Sequence, residues 1–106
     1  MDKKLLVVVT YSSDKSSLED IVDSLMHSDV PAAHISKVNS WFNWKGKCKT
    51  VSEYKLDVLC THDLLVDVVS VIKNKHTYEV PAIMWSEVSA DDNTFAWADG
   101  IKYWFM

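Results

Sequence analysis

From Ala33 to Cys60 the chain alternates, residue by residue, between the two faces of an extended ribbon. Ser40, Phe42 and Trp44 share one face of an ascending arm, with Trp41 and Asn43 on the other. On the descending arm Tyr54, Leu56 and Val58 alternate with Lys55, Asp57 and Leu59. Lys45-Gly46-Lys47 joins the arms. Strands usually hold about five or six residues; these arms approach about a dozen each and would run roughly 36 to 40 Å. A domain of this size has a radius of gyration near ~13 Å, so its own helices cannot cover such a hairpin. Trp41, Phe42, Trp44 and Tyr54 would then form a larger apolar patch than a monomer ordinarily exposes. The hairpin therefore predicts a subunit interface at these four aromatics, and Trp104 and Phe105 add apolar surface in need of a cover.

The remaining elements follow from periodicity and breakers. Leu5 to Thr10 is an apolar run suited to a strand buried on both faces. Tyr11 to Asp14 is a turn in which Ser13 or Asp14 can cap a helix, and Ser16 with Glu19 fits a capping box. Leu18, Ile21, Val22, Leu25 and Met26 form one helical stripe, with the helix running to about Ser28 and ended by Pro31. A second helix starts near Thr61 or Asp63, buries Leu65, Val68, Val69 and Ile72, and carries Lys73 and Lys75 at its negative end. Val80 to Val88 reads as extended, and Ser89 to Asp92 as a loop. Asn93 or Thr94 is placed to cap a last helix with a stripe of Trp97, Ala98, Ile101, Trp104 and Phe105. The order is βαββαβ plus a C-terminal helix, which predicts an α+β, ferredoxin-like fold with a long hairpin between its second and third strands. Right-handed crossovers place both main helices on one face of an antiparallel sheet.

With 106 residues, two glycines and two prolines, the chain reads as one domain, residues 1–106, with no linker. Its net charge of -4 disfavours nucleic-acid partners, since phosphate binding needs a basic surface. No apolar run approaches the roughly 18 residues of a membrane span, and Leu5 to Val9 is too short for a secretion signal. The expectation is a cytoplasmic protein with no nucleic-acid or membrane partner. Cys48 and Cys60 fall about 40 Å apart on one strand, far beyond the ~7 Å that a disulfide spans, which predicts free thiols.

Ser40, Phe42, Trp44, Gly46, Lys47 and Glu53 resemble the "S-x-Y-x-W-x-G-K … E" pattern of the CutA divalent-cation tolerance family, with Phe42 in the tyrosine place. His76, Tyr78, Glu79, Val80 and Pro81 are similar to its "H-P-Y-E-x-P" segment, and Thr10 and Pro31-Ala32-Ala33 resemble two further elements. The resemblance covers nearly the whole chain. It implies a tight homotrimer built through the hairpins, architecturally like the PII signalling proteins. It also implies a role in tolerance of divalent metals, copper above all, with no established catalytic reaction. The chain departs from the pattern at Thr77, Ala82, His34 and Leu59-Cys60, and Val9, Lys75 and His76 occupy the places of the family's proposed copper ligands, so that only His76 is a donor there.

Other chemistry is sparse. No two histidines share the i, i+4 spacing of a helical metal site, and there is no C-x-x-C. His34 and Cys60 come close if the arms pair around the Lys-Gly-Lys turn. His76, His34 and Cys60 are thus the candidate donors for copper or another divalent metal. Glu53 and Asp57 share a face, and Asp57 stands out within an apolar run as costly to bury without a partner. Lys45, Lys47 and Lys49 make the hairpin tip basic. The resemblance to PII-like trimers implies an alternative to metal response, a module that senses a small ligand or binds another protein, with a cleft formed by Lys47, Glu53, Asp57, Tyr78 and Glu79. No nucleotide-binding or hydrolase motif is present, so the expectation is a protein without enzymatic activity.

Overall fold

The computed structural model describes residues 3–101. Trp104 and Phe105, expected in the last helix, lie outside the described residues. The elements are β1 (Lys4–Ser12), α1 (Lys15–Met26), β2 (Ala32–Trp44), β3 (Lys47–Cys60), a 3-10 turn (His62–Leu64), α2 (Leu65–Lys75), β4 (Ile83–Ser89) and α3 (Asp92–Gly100). The strands form one antiparallel sheet in the order β2-β3-β1-β4. The α+β, ferredoxin-like architecture is as the sequence predicts, down to the terminal helix.

Register separates the two faces of the sheet. Leu6, Val8, Thr10 and Ser12 of β1 stand opposite Cys60, Val58, Leu56 and Tyr54 of β3, and Ala33 and Ile35 of β2 continue the row. This face packs on α1 and α2 through Leu18, Ile21, Leu25, Val68 and Ile72. The other face, hereafter the open face, carries Val7, Val9 and Tyr11 of β1, all half-buried. The expectation that β1 is buried on both sides thus holds within one chain for the helix side, while the open side lacks a covering layer along Val7 to Tyr11.

The hairpin arms are 13 and 14 residues long. They turn at Lys45-Gly46 alone, because Lys47 already pairs with Trp44. Both turn residues have positive φ, 50° at Lys45 and 78° at Gly46, the backbone of a type I′ turn, whose twist matches that of the strands it joins. Pairing with β1 stops at Tyr54, so the remainder of β3 projects as a bare ribbon. The molecule is accordingly 47 Å long and only 22 Å across at its thinnest. Trp41 is 69% and Phe42 38% exposed, as the hairpin length predicts. Tyr54 differs. It stands on the helix face, packs against the core cluster and has the Lys15 ammonium 5.9 Å from its ring centre, because it is the last residue still level with β1.

Several boundaries shift for local reasons. Asp14 caps α1, accepting from the Ser17 N–H at 3.3 Å and the Ser16 hydroxyl at 2.7 Å, which draws Ser16 away from a capping box. The helix ends at Met26, ahead of Pro31, because the Ser28 N–H and hydroxyl both turn back to the Leu25 carbonyl. Asp91, rather than Asn93 or Thr94, caps α3 by accepting from the Thr94 N–H at 2.9 Å. Strand β4 starts at Ile83, not Val80, because the ladder with β1 ends at Thr10↔Ile83 and residues 76–82 meet the end of β1 through side chains instead.

Candidate functional site

The segment 76–82 is held by side chains rather than by a ladder. His76 ends α2 with extended backbone and returns its N–H to the Ile72 carbonyl at 2.9 Å. Its Nδ1 accepts the Tyr78 N–H at 3.0 Å, and its Nε2 lies 2.7 Å from the Tyr11 carbonyl. A carbonyl can only accept, so Nε2 carries the proton and both ring nitrogens are occupied. Thr10 Oγ1 donates to the Ala82 carbonyl at 2.7 Å, Ser12 Oγ lies 3.5 Å from Thr77 Oγ1, and Ser17 Oγ donates to the Lys75 carbonyl at 3.3 Å. Buried hydroxyls on β1 and α1, unusual inside an apolar core, are thus the anchors of this loop.

Tyr78 joins the loop to the hairpin. Its hydroxyl donates to Glu53 Oε2 at 2.6 Å and accepts the Ser13 N–H at 2.8 Å. Burial pushes the Tyr78 phenol above its ordinary value, the bond to Glu53 pushes the same way, and the Ser13 N–H opposes both. The phenol therefore stays a donor. Glu53 is only 4% exposed, which makes it, and not Asp57, the enclosed carboxylate of the open face. Asp57 is partly exposed and lies 3.5 Å from Lys55 Nζ.

Above this pair opens a cleft of about 1080 Å³ between the hairpin and the loop. Phe42, Trp44 and Val51 form its apolar wall, Glu53 and Tyr78 its floor, and Lys49, Lys55 and Glu79 contribute charge. Of the predicted cleft residues, Glu53, Tyr78 and Glu79 come together, whereas Lys47 and Asp57 do not line it. Lys49, expected only as part of the basic tip, lines the cleft as well, because its alternation with Lys47 and Glu53 places it on the same face.

The predicted metal donors do not converge. His34 stands opposite Asp57, three places from Cys60, and the period of two puts it on the open face while Cys60 faces the helices. The turn uses two residues rather than three, which sets that register. Cys60 is fully buried, and burial first, with the charge of Asp63 second, pushes its thiol up to about 11. A thiolate, the ligating form, is thereby disfavoured. His76 has no lone pair to spare. Val9 and Lys75, at the remaining family places, are not donors. Among the described residues no three His, Cys, Asp or Glu side chains are gathered in a way that could hold a metal ion, so the residues proposed for copper do not fit it within one chain. A contact that sequence patterning missed joins His62 Nε2 to Glu87 Oε2 at 2.8 Å, both about half exposed.

Comparison with known proteins agrees with the architecture. The chain matches solved structures of CutA1 from Ehrlichia chaffeensis (TM-score 0.85, 21% identity, covering 94% of this chain and 96% of that one) and of CutA1 from Pyrococcus horikoshii (0.83, 24%, 91% and 96%). It also matches one described as the periplasmic divalent cation tolerance protein CutA from Archaeoglobus fulgidus (0.87, 19%, 92% and 98%). A search of curated sequences gives no match. The family model described as CutA1 divalent ion tolerance protein matches residues 5–100. That match spans both the hairpin and the anchored 76–82 loop, and the chain belongs to the CutA1 divalent ion tolerance family.

Proposed function

We propose that this protein acts as a homotrimer in divalent-cation tolerance, with copper among the cations it answers to, and carries out no catalysis. Family membership supports the cation role. The observation that carries the trimer is the projecting hairpin, with Trp41 69% exposed and Phe42 38% exposed beyond the reach of the chain's own helices. Cation response in this reading depends on the assembled subunits, since His76, His34 and Cys60 do not meet within one. Light scattering coupled to size-exclusion chromatography should give close to three times the 12.1 kDa of one chain; a monomer would refute the interface. Calorimetry with Cu(II) and with Zn(II) should show binding to the assembly, and silence at micromolar metal would refute the cation role.

The cleft supports a second reading, a PII-like module that holds a small ligand between subunits, because Lys49 and Lys55 contribute positive charge to an apolar-walled space. Nucleotides and small anions screened by thermal shift should then raise the melting temperature, and a flat response across the panel would count against it. No helix among the described residues is long and apolar enough to cross a membrane. Two free thiols suit a reducing compartment, which favours the cytoplasm; cell fractionation would decide between this and the periplasm named for the Archaeoglobus fulgidus neighbour.

A further inference from the structure

Glu53 presents an unfinished electrostatic problem. It is 4% exposed, gives one oxygen to the Tyr78 hydroxyl, and takes part in none of the ion pairs among the described residues. Enclosing a carboxylate is costly unless a counter-charge accompanies it. The two lysines that line its cleft do not supply one. Lys55 lies against Asp57, and Lys49 sits four residues along the same strand, about 13 Å away at ~3.3 Å per residue.

The missing charge exists elsewhere on the chain. Residues 30–52 hold four lysines and no acid, although the whole chain carries -4. Lys47 stands at the tip, on the same face as Phe42, Trp44 and Glu53. It is six residues from Glu53 along β3, about 20 Å, too far for its ammonium to fold back, and it does not line its own cleft. We propose that Lys47 of a neighbouring copy reaches Glu53, with its hairpin tip seated against the apolar wall of the cleft. The ammonium supplies the counter-charge and the tip aromatics cover the wall. The contact joins unlike surfaces, the basic tip of one copy to the enclosed Glu53 carboxylate of the next, and such a head-to-tail contact closes a ring when repeated by rotation. The inference rests on the homotrimer reading and adds to it the pair that fixes its geometry.

The test compares Lys47→Met, Glu53→Gln, their double variant, and Lys37→Met as a control of equal charge change, each followed by sedimentation over a range of concentrations. Lys47→Met and Glu53→Gln should each weaken assembly by about tenfold or more, the double variant should be little worse than either single one, and Lys37→Met should match the wild type. A monomeric wild type would remove the trimer reading and this pair with it. A trimeric wild type in which Lys47→Met assembles normally, or in which the two losses add fully, would overturn the pair and leave the trimer standing. If Glu53→Gln fails to fold, reductive methylation of the wild type decides. Lys47 should react more slowly than Lys45 and Lys49, and equal rates would overturn the proposal.

Discussion

Replacing Tyr78 with Phe removes one oxygen and leaves the ring in place. Two hydrogen bonds go with it, the 2.6 Å bond to Glu53 Oε2 and the 2.8 Å bond from the Ser13 N–H. The second costs little, because Ser13 is exposed and water can take the place of the hydroxyl. The first is a bond to a charged acceptor that is itself enclosed, worth about 1.5 to 3 kcal/mol. The expected loss is therefore about 2 kcal/mol, or on the order of 1 M in urea midpoint at an m-value of about 1 to 3 kcal/mol per M. The comparison is made at equal protein concentration, since assembly adds to apparent stability. The substitution also has an alkaline signature. The Tyr78 phenol is raised in the folded state from 10.0, so the folded protein holds this proton more tightly than the unfolded chain. Its contribution is fully present below pH 10 and is lost as pH rises through the folded value. Tyr78→Phe should lack that part of the alkaline decline. A midpoint shift equivalent to less than about 0.5 kcal/mol, well below the range for such a bond, or an unchanged alkaline limb, would refute the role given to the Tyr78–Glu53 bond.

Thiol reagents should find one reactive cysteine in the native protein, because Cys48 is exposed and Cys60 is buried with its thiol raised to about 11; rapid modification of both would contradict the packing. The same shift predicts that Cys60 stabilises the fold below pH 9.0 and ceases to as pH rises toward 11, which a Cys60→Val variant followed by circular dichroism would isolate. Asp14→Ala should lower the melting temperature at neutral pH by uncapping α1. The Ser16 and Ser17 bonds hold the Asp14 carboxyl below 3.8, so the difference from wild type should shrink as pH falls through that lowered value. Ile21→Ala, at a fully buried site, should cost about 2 to 5 kcal/mol in urea unfolding, and a loss below 1 kcal/mol would mean that α1 is not packed as described.

The fold was legible where periodicity was strong. The alternation from Ala33 to Cys60 gave the hairpin, its faces and its exposed aromatics, and the apolar stripes gave α1 and α2. What escaped was decided by single hydrogen bonds. Whether Asp14 or Ser13 caps a helix, or Asp91 or Asn93, depends on one side-chain oxygen, and patterning offers both. The site was legible in part. Glu53, Tyr78 and Glu79 meet, but Asp57 looked the more costly acid because it interrupts an apolar run, whereas enclosure depends on the distant loop that covers Glu53. His34 and Cys60 failed as a pair through register alone. With a period of two, a shift of one residue exchanges the faces of a strand, and a two-residue turn is shorter than the Lys-Gly-Lys motif suggests.

The central place of β1 has a consequence for the order of events during synthesis. Its two neighbours in the sheet, β3 and β4, both emerge after it, and the pair Lys4↔Ser89 joins residues 85 positions apart. The hairpin can zip locally as soon as its turn is made, since loop closure over two residues is cheap. Strand β1, by contrast, waits with both edges unpaired until β3 is complete at Cys60, and its β4 edge stays open until residue 89 has left the ribosome, roughly 4 to 15 s at about 5 to 20 residues per second. Its run of Leu5 to Val9 is apolar, β-prone and uncharged, the composition of an aggregation-prone segment. The earliest strand of the sheet is thus the one most in need of shielding on a nascent chain, and chains that stop before β4 should be the ones that chaperones retain.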